Sequence, residues 1–321
     1  MASYLAKKYA GVSSLLVRPL RAGILAAADS ALVRRAVTRY GMRLGAGRFV
    51  AGENAEQFLP VAKAANAQGF CVAATILGES VRDCGETRAV TAEYCRLLSA
   101  FAEQGIDANV AFKLTHVGLD IDPALALENA SRITETAKAS GRTVRMDMEQ
   151  SRYVDPTLAI YRRLRETYNN VGFVLQSYLY RSQADLASML ELKPNVRIVK
   201  GAYLEPAGVA YPRKSDVDAG YADLAETALS NDGYTAIATH DPKIIDHVME
   251  YAARRGLPKK GRFEFQMLYG IAAPLARRIL DRGYRVRLSV PYGQNWFPYL
   301  MRRLAERPAN LTFFIKGAFN R

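Results

Sequence analysis

From residue 70 onward the sequence repeats one pattern: a short, mostly apolar run rich in β-branched residues, a polar turn, and a longer stretch with helical periodicity. This alternation predicts parallel strands, because a helix between two strands returns the chain to the same end of the sheet. We predict eight strands, at residues 70–77, 109–115, 143–148, 172–176, 196–200, 235–239, 262–266 and 284–290. Eight such units favour a closed (β/α)8 barrel of the TIM type over an open doubly wound sheet.

Proline and glycine mark the predicted helix ends. Asp-Pro pairs at residues 122–123, 155–156 and 241–242 each combine a favoured N-cap carboxylate with a proline suited to the first helical turn. Five glycines stand where a left-handed residue would end a helix before the next strand: Gly105, Gly141, Gly233, Gly256 and Gly283.

The first 48 residues carry nine Lys and Arg residues against Asp29 alone, within a chain of net charge +13. We expect a basic helical arm over residues 1–48, followed by one catalytic barrel over residues 49–321. The arm is expected to pack as a solvated segment. The alternative is peripheral contact with the anionic inner face of a membrane, which basic and apolar residues side by side would allow.

Composition limits the remaining classes of protein. The apolar runs are shorter than the roughly 20 residues that span a bilayer, and no spacing of basic and aromatic residues matches a nucleic-acid module. Three cysteines without paired spacing are typical of a reduced, cytoplasmic protein. The three histidines show no metal-ligand spacing, so we predict no metal site.

Polar residues end or follow several predicted strands: Lys113, Asp147, Glu149, Gln176, Arg197, Lys200, Thr239 and His240. In a (β/α)8 barrel the carboxyl ends of the strands form the active end, whereas branched aliphatic side chains are expected to fill the interior. We therefore interpret the ionisable residues as an active rim and not as core residues.

Isolated members of this rim leave other chemistries open. Lys113 and Lys200 would also suit a lyase that works through a Schiff base. The rim carboxylates and imidazole, together with Asp241, would also suit a divalent metal ion. A non-enzymatic module docked through the basic arm is a third alternative.

The last predicted helix gathers cations on one face. Tyr299, Arg302, Arg303 and Glu306 follow one another at helical spacing, so their side chains share a face. Two adjacent guanidinium groups can bind an anion such as a carboxylate through paired hydrogen bonds.

Seven motifs in one order resemble the flavin-dependent, monofunctional proline dehydrogenase family. They are residues 113–115 (KLT), 145–149 (RMDME), 175–180 (LQSYLY), 196–203 (VRIVKGAY), 238–241 (ATHD), 263–270 (FEFQMLYG) and 299–303 (YLMRR). The resemblance covers roughly residues 50–317. It implies a distorted (β/α)8 barrel that holds FAD at its C-terminal rim, oxidises L-proline to 1-pyrroline-5-carboxylate and passes electrons to a quinone. A separate pyrroline-5-carboxylate dehydrogenase would then take the product.

The resemblance also implies a role for each matching residue. Lys113, Arg302 and Arg303 would bind the substrate carboxylate, and Tyr299 and Leu268 would line the pocket. These groups would orient the ring for hydride transfer without taking part in the chemistry, which the cofactor supplies.

Further matches concern the flavin. Asp147 corresponds to an acidic residue that tunes the flavin environment, and Arg197 to a cation beside flavin N5. Glu79 corresponds to a glutamate that pairs with an arginine of the last helix and gates the site. The remaining cofactor contacts would be Met148, Gln176, Lys200, Gly201, Ala202, Thr239 and His240. No residue is identified as a general base.

Ser289 departs from the family pattern. Proline-specific members usually carry Tyr at this position, where the phenol packs against the substrate ring. Ser is smaller and offers a hydroxyl that can pair with a polar substituent. The sequence therefore leaves two substrates open, with proline favoured and 4-hydroxyproline as the alternative.

Overall fold

The computed structural model describes residues 30–306. Its sheet is a closed barrel in which the strands follow one another in chain order, and the pairs from β1–β2 to β7–β8 are parallel. The strands are β1 Cys71–Ile76, β2 Ala108–Lys113, β3 Val144–Asp147, β4 Val171–Gln176, β5 Asn195–Val199, β6 Tyr234–Ala238, β7 Phe263–Leu268 and β8 Val286–Tyr292. The predicted (β/α)8 barrel is confirmed.

Strand ends differ from the prediction by one or two residues in most cases. β2 ends at Lys113, and a short 3-10 turn, Leu114–His116, replaces the predicted end of the strand. β7 and β8 each continue two residues beyond the predicted end. The extension of β7 places Leu268 in register with Ser289 on β8.

The helices are α1 Ala31–Leu44, α2 Ala55–Ala67, α3 Cys84–Glu103, α4 Pro123–Ala139, α5 Val154–Arg165, α6 Ser182–Ala187, α7 Lys214–Ser230, α8 Pro242–Arg254, α9 Ala273–Asp281 and α10 Trp296–Glu306. Asp122 and Asp241 cap α4 and α8, since each side chain accepts a backbone N–H of the first turn. The prediction for Asp155 was wrong, because this residue lies inside α5 and its carboxylate contacts Arg181.

Four of the five helix-ending glycines have the expected positive φ, between 63° and 88°. Gly233 does not, and it is required for a different reason. A Cβ atom at Gly233 would lie 2.2 Å from the carbonyl oxygen of Pro194, so only glycine permits the close approach of the two backbone segments.

The outer layer of the barrel core is aromatic. Tyr94 of α3, Tyr161 of α5 and Tyr221 of α7 are fully buried on the helix faces that turn to the sheet. Each burial of such a side chain contributes roughly 2 kcal/mol from apolar area. The Tyr221 hydroxyl donates to the carbonyl oxygen of Ile198 at 2.8 Å, which ties α7 to β5.

The interior of the barrel holds ion pairs, which contradicts the expectation of branched aliphatic side chains. Arg287 of β8 donates through Nε to Glu264 of β7 at 2.7 Å and through Nη1 to the carbonyl oxygen of Val72 at 2.8 Å. Arg145 of β3 donates to the carbonyl oxygen of Phe173 at 3.0 Å. Buried charges are tolerated when they are paired and hydrogen-bonded, and here each guanidinium also satisfies a backbone carbonyl group.

Glu264 makes stability depend on pH. Burial alone would raise the pKa of its carboxyl group, but the Arg287 guanidinium and further donors lower it from 4.5 to about 2. A lowered folded-state pKa stabilises the protein above about pH 4.5, and this contribution is lost as the pH falls towards 2.

We expect Glu264→Gln to lower the free energy of unfolding at pH 7 by about 3 kcal/mol. The free energy of unfolding of this variant should also fall less than that of the wild type as the pH is lowered. Urea unfolding of both proteins between pH 7 and 3 checks this. An equal fall in the free energy of unfolding of the two proteins over this range would contradict it.

The chain divides into two compact units, one of the segments up to Phe58 and from Pro291 onward, the other Leu59–Val290. In the first unit, Trp296 donates to Glu53 at 2.8 Å, and its indole packs on Gly41 of α1. The predicted domain boundary after residue 48 stays a prediction. Most of the predicted basic arm lies outside the described residues. No helix within residues 30–306 has both the length and the apolar character needed to cross a membrane.

Candidate active site

A lysine–glutamate pair lies at the C-terminal end of β1 and β2. The Lys113 ammonium, on the last residue of β2, contacts the carboxylate of Glu79 in the loop after β1. Both side chains are partly exposed, so the pair can open towards a ligand. The predicted gating partner of Glu79 is an arginine of α10, which lies in the other unit, and this pairing stays a prediction.

Arg197 lies inside the barrel at the same end. Its guanidinium contacts the Asp147 carboxylate, and Nη1 donates to Oε1 of Gln266 at 3.3 Å. The three residues belong to β3, β5 and β7, which are not neighbours, so their side chains meet across the barrel interior. The structure therefore brings together the two residues predicted to act on the flavin.

Glu149 connects three of the loops that carry predicted site residues. Its buried carboxylate accepts the backbone N–H of Thr115 at 3.1 Å and the Thr115 hydroxyl at 2.7 Å. The same hydroxyl oxygen accepts the N–H of Ser80 at 3.1 Å. Burial raises the pKa of Glu149 despite these donors. The segments that follow β1, β2 and β3 are thus fixed to one another.

The end of β4 is attached to the same region. Gln176 is buried and donates through Nε2 to the carbonyl oxygen of Glu149 at 2.8 Å. The backbone carbonyl oxygen of Gln176 accepts a hydrogen bond from the Ser182 hydroxyl at 2.6 Å. Met148, between Asp147 and Glu149, is also buried. Two of the predicted cofactor contacts therefore lie on adjoining strand ends.

Lys200 follows β5 and lies between two carboxylates. Its ammonium donates to Asp218 at 2.6 Å and to Asp241 at 2.9 Å, and Lys214 contacts the same two residues. Burial alone would raise the pKa of each carboxyl group, but the ammonium groups lower it. A phosphate bound by Lys200 would compete with these carboxylates, so its predicted role stays a prediction.

Gly201 and Ala202 form the start of the loop after β5. Gly201 has a φ of 117°, and a Cβ atom there would lie 2.3 Å from the ring of Tyr178. A side chain at position 201 would therefore displace this ring or strain the backbone. Ala202 is exposed next to it.

Thr239 and His240 follow β6. The Thr239 hydroxyl oxygen accepts the N–H of Asp241 at 3.1 Å. His240 accepts the backbone N–H of Leu268 through Nε2 at 3.0 Å. Because Nε2 accepts, a neutral His240 ring carries its proton on Nδ1 and donates there. Leu268 and its neighbour Ser289 are half-buried on β7 and β8.

The last helix, α10, includes Tyr299, Arg302 and Arg303, the residues predicted to contact the substrate. The Arg303 guanidinium carbon lies 5.3 Å from the centroid of the Tyr299 ring, which is a cation–π contact. Arg302 lies beside Arg303 in the same helix. α10 belongs to the unit that contains Pro291, whereas the other predicted site residues belong to Leu59–Val290.

Three residues that hold the site in place had no predicted role: Thr115, Gln266 and Asp218. Gln266 stands in one of the motifs, but its predicted position at the end of a strand gave no sign of its contacts. Glu149 and Asp241 were considered as metal ligands. Within residues 30–306 they instead bind Thr115 and Lys200, and no three groups of metal-ligand type form a cluster in this part of the chain.

The chain matches the family model described as proline dehydrogenase over residues 58–316. It is 42% identical over 278 residues to proline dehydrogenase 1 of Bacillus subtilis strain 168, covering 87% of this chain and 92% of the relative. It is 43% identical over 275 residues to proline dehydrogenase of Deinococcus radiodurans, covering 84% and 88%.

Among solved structures, the chain is similar to proline utilization A from Bdellovibrio bacteriovorus inactivated by N-propargylglycine, with a TM-score of 0.77 and 28% identity. The match covers 83% of this chain and about a third (33%) of that longer chain. The family model and the curated relatives each extend over most of the sequence that forms the barrel and its rim. The chain therefore belongs to the proline dehydrogenase family and is an oxidoreductase that acts on proline.

Proposed function

We propose that this protein oxidises L-proline to 1-pyrroline-5-carboxylate with bound FAD and passes the electrons to a quinone. The observation that supports this most is the position of Arg197 inside the end of the barrel, held by Asp147 and Gln266. A fixed cation in a closed, largely buried site favours negative charge on a group bound beside it. Reduction of a flavin places such charge on the ring.

The residues present fit a flavin. Within residues 30–306 the buried Nε atom of Arg197 has no hydrogen-bond partner, and an acceptor on the ring would satisfy it. His240 is held in place by the backbone N–H of Leu268, which its Nε2 accepts. Gly201 has no side chain, which allows the Tyr178 ring to lie directly against its backbone. The other residues proposed to hold the cofactor are Met148, Gln176, Lys200, Ala202 and Thr239.

A bound flavin would supply the acceptor for the hydride that leaves the ring carbon next to the substrate nitrogen. The residues of the chain orient the substrate for this step. Lys113, Arg302 and Arg303 are proposed to bind its carboxylate, while Leu268 and Tyr299 pack against its ring. Glu79, which contacts Lys113, is proposed to gate the site.

The substrate nitrogen must lose its extra proton before oxidation. We propose that the amine binds deprotonated, so that no side chain acts as a general base. The value of kcat/KM for L-proline should then rise with pH through the titration of the substrate amine. Steady-state rates over this pH range check the prediction, and a constant kcat/KM would contradict it.

The proposed function is tested by purifying the protein, releasing its cofactor and identifying it by mass spectrometry. The loaded protein is then incubated with L-proline and a soluble quinone. We expect FAD, reduced quinone and 1-pyrroline-5-carboxylate, the last two in equal amounts. Quinone reduction without that product, or a protein that cannot be loaded with FAD, would refute the proposal.

A second candidate substrate is 4-hydroxy-L-proline. Ser289 lies beside Leu268 in the register of β7 and β8 and is half-buried, so a substituent on the ring could meet its hydroxyl. If this contact exists, Ser289→Tyr should raise the preference for proline over hydroxyproline by about tenfold or more. The ratio of kcat/KM values for the two substrates measures this. A strong preference for proline in both proteins would exclude hydroxyproline.

Two further proposals concern the surroundings of the enzyme. The basic segment of residues 1–48 is proposed to contact an anionic membrane, where a quinone would be available. Sedimentation with anionic and neutral vesicles tests this contact, which is refuted if the protein binds neither. A separate pyrroline-5-carboxylate dehydrogenase is proposed to consume the product.

A further inference from the structure

A column of polar side chains extends from the active rim into the barrel. Gln266 lies in its middle, where Oε1 accepts from Arg197 at 3.3 Å and Nε2 donates to Glu264 at 2.6 Å. Below it, Glu264 accepts from Arg287 at 2.7 Å and from the Tyr234 hydroxyl at 2.9 Å. Gln266 and Glu264 are both buried.

The direction of the Gln266 amide is fixed by its two neighbours. Glu264 is ionised, because its paired arginine keeps the carboxyl pKa low, and an ionised carboxylate only accepts hydrogen bonds. The atom of Gln266 that faces Glu264 must therefore be the amide nitrogen. Arg197 only donates, so the opposite end must be the carbonyl oxygen. Turning the amide over would break both hydrogen bonds in a buried site.

This arrangement separates two ion pairs. Asp147 balances the charge of Arg197 above Gln266, and Arg287 and Arg285 balance Glu264 below it. Gln266 is neutral, so it offers Arg197 an acceptor without adding a second negative charge. Arg197 thus keeps a fixed orientation and a single counter-charge.

We propose that Gln266 is a positioning residue that holds the Arg197 guanidinium towards the flavin and keeps it separate from the charge of Glu264. The inference rests on the proposed function, in which Arg197 lies beside the reactive edge of the flavin. It assigns to β7 a part in setting how readily the flavin accepts negative charge.

Sulfite is a suitable probe, because its sulfur lone pair forms a bond to flavin N5 and the negative charge moves onto the ring. Gln266→Leu removes both hydrogen bonds at similar volume. We expect the flavin to remain bound and the Kd for sulfite to rise about tenfold. For a two-electron couple, a tenfold change in an equilibrium constant is equivalent to a fall of about 30 mV in the reduction potential. The matched control is Asn109→Leu. Asn109 is a buried amide on β2 that donates to Thr143 and does not contact Arg197. The Kd of this variant for sulfite should stay within about twofold of the wild-type value.

Gln266→Glu tests the same inference through the pH dependence of sulfite binding. Two carboxyl groups at this distance cannot both be ionised easily, so one is protonated at low pH. The carboxyl group introduced by this substitution, when protonated, would donate to Glu264 and accept from Arg197, as the amide of Gln266 does. Charged groups around this pair are Asp147, Arg197, Arg145, Arg285 and Arg287.

The Kd for sulfite of Gln266→Glu, divided by that of the wild type at the same pH, should be near one in acid and should rise with pH. A structural defect alone would give a ratio independent of pH. The inference is overturned if Gln266→Leu binds sulfite as the wild type does, or if the ratio for Gln266→Glu does not change with pH. Failure of the wild type to bind flavin would instead refute the proposed function, so the two failures are distinguishable.

Discussion

Lys113→Met is expected to lower kcat/KM for L-proline by about a hundredfold, mainly through a higher KM. A charge-assisted hydrogen bond from an ammonium to a carboxylate contributes about 1.5–3 kcal/mol, and this bond would be lost. The variant also leaves the Glu79 carboxylate without the cation that it contacts, so that Glu79 would repel the substrate. Steady-state kinetics with the flavin content measured in each preparation gives the result.

The double variant Lys113→Met/Glu79→Gln separates these two causes. It should recover part of the loss, because the repulsion by Glu79 is removed while the ammonium is still absent. Lys63→Met, at an exposed position of α2, serves as the control for removal of a lysine. A Lys113→Met enzyme with an unchanged KM would show that Lys113 does not bind the substrate.

Arg303→Met is expected to lower kcat/KM by about a hundredfold or more, because a guanidinium can bind both oxygens of a carboxylate and methionine neither. The contact with the Tyr299 ring restricts the guanidinium in the free protein, which reduces the entropy lost when the substrate binds. Arg303→Lys keeps the charge and loses the paired geometry. It should fall between the wild type and Arg303→Met, with a loss of about tenfold.

A comparison of substrates distinguishes binding of the carboxylate from a general structural role. L-prolinamide lacks the carboxylate charge, so the wild type should use it poorly. Arg303→Met should lose little further activity towards it. Equal losses towards L-proline and L-prolinamide would mean that Arg303 supports the fold of α10 and does not contact the carboxylate.

The strands were predictable because each is buried on both faces and appears in the sequence as a short apolar run. The ends of the strands were harder to predict. Gln266 suggested the end of β7, yet its side chain lies inside the barrel and the strand continues to Leu268. Pro291 suggested the end of β8, but proline lacks only the donor, and its carbonyl oxygen accepts the N–H of Ala51 at 2.8 Å.

The candidate site residues were assigned from their motifs, whereas the partners that hold them in place could not be. Lys200 is held by Asp218 and Asp241, which follow it by 18 and 41 residues and approach it only through the fold. The pair of Arg197 and Asp147 likewise joins strands that are not neighbours. Buried ion pairs such as Glu264 with Arg287 have no periodic signature, because a charged residue inside a barrel has the same spacing as an aliphatic one.

The cationic residues of this chain are proposed to orient a cyclic imino acid against a bound flavin. The most direct measurement is the visible absorption spectrum of the purified protein, recorded without oxygen as L-proline is added. We expect a yellow protein whose absorbance is bleached by L-proline and much less by L-prolinamide. A colourless protein that cannot be loaded with FAD, or a flavin that stays oxidised with L-proline, would contradict it.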